Sequence, residues 1–262
     1  MADWDLFSVV IDDRRAVIAV DLEAGTSGDH AARPWFVWVR VELRTAREDG
    51  LLAREERPAI DAFEDQVVPI IEAASGQFVA RRVHGGRRDW FFYLPAEPAS
   101  PLIEAIRRRA QDHGYAAEVL FGNEPDWRTF HESIEPLPEE RQTIQDRRVL
   151  AHLAELGDDS SVIRGVDHWV YFADSLARDA FGRRASEHGY AVRSTRDDAT
   201  EPRRHGIQVS RDQPADEESI TTAVRVLYRL ALELNGDYDG WETSVQQPDT
   251  RPGPSGRGSS GS

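Results

Sequence analysis

Residues 216–234 space Ile220, Val224, Leu227, Ala231 and Leu234 three or four positions apart, so a helix there carries one apolar stripe on an otherwise polar surface. Such a stripe must be buried against another layer. The helix stops at Gly236, and the chain passes straight into 237–245, which reads as a closing strand. Ahead of it lie an apolar strand (162–172) and a helix capped by Asp174 that ends at Gly189. Two further strands follow, at 190–196 and 205–211, with a charged loop between them. The order is β-α-β-β-α-β, which lets both helices cover one face of a four-stranded sheet.

The first half repeats that order behind an extra hairpin. Runs at 3–10 and 15–21 flank Asp12-Asp13 as two strands and a turn. In the strand at 35–44, Trp35, Val37, Val39, Val41 and Leu43 share a face. A helix over 54–74 follows, with Pro58 in its first turn and Ile60, Phe63, Val67, Ile70 and Ile71 at helical spacing. Strands at 77–84 and 88–94 enclose Gly85-Gly86, a two-residue hairpin turn. Ser100 and Pro101 open a second helix that Gly114 closes, and 115–121 is the last strand. A loop with Pro125, Trp127, Pro136 and Pro138 leads into a polar connector helix over 139–156. The expected domains are 1–134 and 135–246. A tail of Pro, Gly, Ser and Arg without periodicity follows over 247–262.

Charge narrows the function classes. Forty-seven acidic side chains against 32 basic ones leave a net charge of −15, which argues against a general nucleic-acid binder and for cationic partners. Every basic residue is arginine, so Schiff-base and P-loop lysine chemistry drop out. The absence of cysteine removes disulfides and thiolate metal sites. No run approaches the ~20 apolar residues that span a bilayer, and the chain opens on Met1-Ala2-Asp3-Trp4-Asp5, unlike a signal peptide. A cytoplasmic location is expected.

Val166-Asp167-His168-Trp169-Val170-Tyr171-Phe172, the helix ending at Gly189-Tyr190, and Asp237-Tyr238-Asp239-Gly240-Trp241-Glu242-Thr243 together resemble the RraB family, regulators of ribonuclease E activity. Pro34-Trp35, the helix with Glu64-Asp65, the strand Trp90-Phe91-Phe92-Tyr93 and the Asp126-Trp127 loop resemble the domain-of-unknown-function family 695. The RraB resemblance implies a ferredoxin-like sandwich and a noncatalytic protein that binds an endonuclease and lowers its activity. The expected fold class is therefore α+β: two ferredoxin-like (β-α-β-β-α-β) sandwich domains in tandem, the first with an extra N-terminal β-hairpin.

If first and last strands of the second half lie side by side, His168 comes near Asp239, Trp241 and Glu242. His168, Trp169, Asp239, Trp241 and Glu242 are then the expected partner-binding residues, with tryptophan as anchor. The plainer readings are a packed histidine bonded to a neighbour, and tryptophans packed at a sheet margin. Asp-x-Asp-Gly runs into a strand without the downstream glutamate of a calcium loop, so no metal site, cofactor or catalytic residue is expected. Gly240 is expected to permit a bulge. The leading function is a regulatory protein that binds a protein partner, with a ribonuclease E-like enzyme as the named candidate. An immunity or antitoxin-like protein is one alternative; a hydrolase using His168 and nearby carboxylates is the other.

Overall fold

The computed structural model describes residues 2–26, 30–198 and 205–247. The expected tail lies outside these residues beyond Gln247. The chain separates into two compact units, Met1–Arg141 and Gln142–Ser262. The described residues form ten strands in two antiparallel sheets and six α-helices. No described helix is long and apolar enough to cross a membrane.

In the first unit, strands β1 (Trp4–Ile11) and β2 (Arg14–Asp21) form a hairpin whose turn holds Asp12 and Asp13 at φ 48° and 58°. Two left-handed residues are what a type I′ turn demands. Next come β3 (Trp35–Glu42), helix α1 (Arg57–Glu72), β4 (Gln77–His84), β5 (Arg87–Leu94), α2 (Ser100–Asp112) and β6 (Glu118–Asn123). The strands lie in the order β1-β2-β4-β5-β3-β6, so the hairpin extends the sheet beyond β4. Strand alternation sends Val37, Val39, Trp90, Phe92 and Val119 to one face. There they pack in one core with Ile60, Phe63, Val67, Ile71, Ile106 and Ala110 of the helices.

Two local expectations need correction. Ser100 does not cap α2: the capping position is Ala99, which has no side-chain acceptor, and Ser100 is already helical. The stretch read as a loop contains helix α3 (Arg128–Ser133), entered through Trp127 at φ 50°. Six residues with a single buried side chain leave no periodicity to detect. Trp127 is instead held by tertiary contacts. Its ring stacks 3.9 Å from that of Tyr93, and its Nε1 donates to the Arg33 carbonyl at 2.9 Å.

The division between units falls inside α4 (Pro138–Glu155). The second unit continues with β7 (Arg164–Phe172), α5 (Ser175–Glu187), β8 (Ala191–Asp197), β9 (His205–Gln213), α6 (Glu217–Glu233) and β10 (Asp237–Thr243). Asp174 and Asp216 cap α5 and α6 by accepting the Ala177 and Ser219 amides, each at 2.8 Å. The sheet order is β10-β7-β9-β8, which sets the first strand of the unit beside the last. One face packs Val166, Val170, Ile207 and Val209 in one core with Phe181, Ile220, Leu227 and Ala231 of the helices. The turn from α6 into β10 is so tight that a Cβ on Gly236 would sit 2.3 Å from the Phe172 ring.

Candidate functional site

The edge where β10 meets β7 is shaped by one extra residue. Tyr238 pairs with Val170 and Gly240 with Trp169, leaving Asp239 as a bulge; Gly240 stands at φ 131°. In a regular strand, residues three apart face opposite ways. The bulge shifts the alternation, so Tyr238 and Trp241 both turn inward with Val170 and His168, their pairing partners. Glu242 pairs with Asp167 on the outward side.

The inward side is a buried polar cluster. His168 is fully buried, and its Nδ1 lies 2.8 Å from the Tyr238 hydroxyl. Tyr190 packs edge-on against the imidazole, and the Arg211 guanidinium lies over the Tyr190 ring at 4.5 Å. Burial, with Arg211 adding to it, pushes the His168 pKa down to about 3, so the ring is neutral at physiological pH. Burial likewise raises the Tyr238 hydroxyl well above its usual range, helped by the charge of Asp146. Asp146, on α4, accepts from Trp241 Nε1 at 2.9 Å and from Gln142 Nε2 at 2.8 Å, both on Oδ1. Those bonds favour its charged form, yet burial outweighs them and lifts it to about 6.

The outward side is different in kind. Trp169 is half-buried and donates from Nε1 to Glu242 Oε1 at 3.1 Å. Asp239 and Glu242 are exposed. With Val149 and Gln145 of α4 they border a shallow depression of about 200 Å³ that reaches Trp241 at its base. A half-buried indole beside two exposed carboxylates can take an apolar or cationic side chain.

The five residues expected at a partner surface thus lie on adjoining strands, but not on one face. Trp169, Asp239 and Glu242 are accessible. His168 is fully buried and Trp241 is 9% exposed, so these two lie beneath the surface that the other three present. The hydrolase alternative calls for His168 beside a carboxylate, whereas its Nδ1 bonds the Tyr238 hydroxyl. The sequence pattern does not mark Asp146, Gln142 and Tyr190 as members of this cluster. A lone Asp in a polar helix carries no local sign that it will be buried. Among the described residues, no group of three or more His, Asp or Glu side chains is arranged to hold a metal ion.

Residues 2–134 match the model of a family of unknown function, DUF695. The chain belongs to that family. Residues 143–243 match a second model, Regulator of ribonuclease activity B (RraB). The protein is therefore a fusion of a DUF695 domain with a C-terminal RraB domain, and the bulged edge lies in the latter. No curated protein matches the chain. Among solved structures, an unknown protein from Galdieria sulphuraria is 13% identical, with 81% of this chain and 99% of that one covered and a TM-score of 0.22. A structure described as a glycine cleavage system transcriptional repressor is 11% identical, covers 80% and 98%, and has a TM-score of 0.24.

Proposed function

We propose that this fusion is a noncatalytic, cytoplasmic regulatory protein whose RraB domain binds a ribonuclease E-like endoribonuclease and lowers its activity. The observation that carries the reading is the RraB match over 143–243, which contains the only part of β10 and β7 where an accessible indole, Trp169, stands beside exposed acids among the described residues. Both units are taken as ferredoxin-like sandwiches. In support, the strand orders β6-β3-β5-β4 and β10-β7-β9-β8 each run fourth, first, third, second within their β-α-β-β-α-β series. The working domain limits remain 1–134 and 135–246, with a tail over 247–262.

The mechanism is occlusion or restraint of a basic partner surface. A chain of charge −15 attracts such a surface at long range and loses attraction as salt rises. Tryptophan burial then sets how long the complex lasts. His168, Tyr238 and Asp146 contribute by holding β10 in its bulged register. The test is RNA cleavage by a purified ribonuclease E-like enzyme with increasing amounts of the full chain. Saturable inhibition that weakens with salt is expected; undiminished cleavage at saturating protein would overturn the reading.

A further inference from the structure

A groove of about 580 Å³ is lined by residues of the β1–β2 hairpin, the loop between β3 and α1, α1, β4 and β5. That is the size of a small-molecule site. Five arginines line it: Arg15 from β2, Arg47 from the loop after β3, Arg57 from α1, Arg81 from β4 and Arg88 from β5. In a chain whose acids outnumber its bases 47 to 32, this inverts the overall balance. Three acids also line the groove, Asp61, Glu64 and Asp65.

Glu64 is already engaged. It takes Arg81 on Oε1, and on Oε2 both Arg88 Nη2 at 2.8 Å and Trp90 Nε1 at 2.7 Å. Burial alone would raise its pKa, but Arg88 and Arg81 hold it below the usual glutamate range. One carboxylate thus serves two guanidinium groups, with Asp61 also acting on Arg88, and across the whole lining five arginines face three acids. Arg88 is the side chain that pays for this arrangement, with 9% of its surface exposed. Its Nε is shut off from solvent and has no hydrogen-bond partner among the described residues. A buried charged donor without an acceptor is unfavourable, and a turn of the guanidinium toward an oxyanion on the groove floor would satisfy it. Leu6, Val17 and Leu52 add apolar wall to the same groove.

We propose that this groove of the DUF695 domain is a binding site for a small phosphate monoester. The phosphate sits against Arg88 and Arg81, the rim arginines Arg15 and Arg57 complete its neutralisation, and the organic portion lies on Leu6, Val17 and Leu52. A doubly charged tetrahedral group matches the surplus charge and the forked geometry of guanidinium donors. The site is independent of the ribonuclease reading, which rests on the other unit.

Isothermal titration of the full chain with phenyl phosphate, and separately with inorganic phosphate, tests it. Saturable binding of phenyl phosphate is expected, weaker by at least about tenfold for the exposed-rim double variant Arg15→Glu/Arg57→Glu. Inorganic phosphate should bind more weakly than phenyl phosphate, since it lacks the apolar portion. Arg88→Lys keeps a charge opposite Glu64 but loses the fork, and should also weaken binding. Its thermal unfolding, compared with wild type, separates loss of the site from loss of the fold. No saturable heat with phenyl phosphate, or equal affinity in the rim variant, would overturn the proposal.

Discussion

Asp146→Asn is the most informative single substitution in the RraB domain. The wild-type carboxyl is shifted from the ordinary aspartate value of about 4 to about 6, because burial outweighs two hydrogen bonds. A group whose folded pKa is raised binds its proton more tightly in the folded state. Its contribution is therefore favourable at low pH and is lost as pH rises from about 4 to about 6. At pH 7 the loss amounts to about 3 kcal/mol. Asparagine keeps an Oδ1 to accept from Trp241 and Gln142 but carries no charge, so the variant should gain about 2 to 3 kcal/mol at pH 7 and almost nothing at pH 4.

His168 supplies the opposing slope. Its pKa falls from the ordinary value of about 6.5 to about 3 through burial, so its contribution rises as pH climbs from about 3 to about 6.5. In wild type the two slopes nearly cancel between pH 4 and 6. In Asp146→Asn the histidine slope stands alone, at up to about 1.4 kcal/mol per pH unit. Urea unfolding at pH 4, 5, 6 and 7, read by pulsed hydrogen exchange in peptides covering β7 and β10, measures both. An increment that is independent of pH, or a variant less stable than wild type at pH 7, would refute the burial argument.

Three further outcomes follow from the same geometry. Trp241→Phe removes the Nε1 donor to Asp146 and should cost about 1 to 3 kcal/mol at pH 7 and less at pH 4, by the same unfolding assay. Gly236→Ala forces a Cβ against the Phe172 ring and should lower the thermal midpoint by an amount equivalent to about 1 to 3 kcal/mol or more; an unchanged midpoint would mean that the turn can relax. Trp169→Ala should leave the fold intact, as judged by circular dichroism, while weakening partner binding by about 2 kcal/mol or more, roughly 30-fold.

What could be read from the sequence was what neighbouring residues dictate. Asp174 and Asp216 stand at helix starts, Asp12-Asp13 and Gly85-Gly86 at turns, and the stripe from Ile220 to Leu234 at helical spacing. Each is a short-range constraint; the side-by-side placement of β7 and β10 was legible only through the resemblance to the RraB family, which implies a ferredoxin-like sheet. What could not be read depends on distance in the chain or on the place of a single extra residue. Trp241 faces inward because the bulge falls at Asp239, and moving it past Trp241 would reverse the face. Asp146 meets Trp241 across 95 positions, and nothing near Asp146 announces the contact. Arg88 follows Arg87 in a charged pair, and its burial depends on Glu64 arriving from α1.

If the RraB domain binds a ribonuclease, the outward side of β7 and β10 is its docking surface. The direct measurement is isothermal titration of a ribonuclease E-like endoribonuclease with the full chain, with Glu242→Arg and with Trp169→Ala, at low and physiological salt. The account predicts saturable binding by the wild type that weakens as salt rises. It also predicts a large loss in both variants, with the charge reversal losing most at low salt. Wild-type binding that both variants reproduce unchanged, or no binding at either salt, would contradict it.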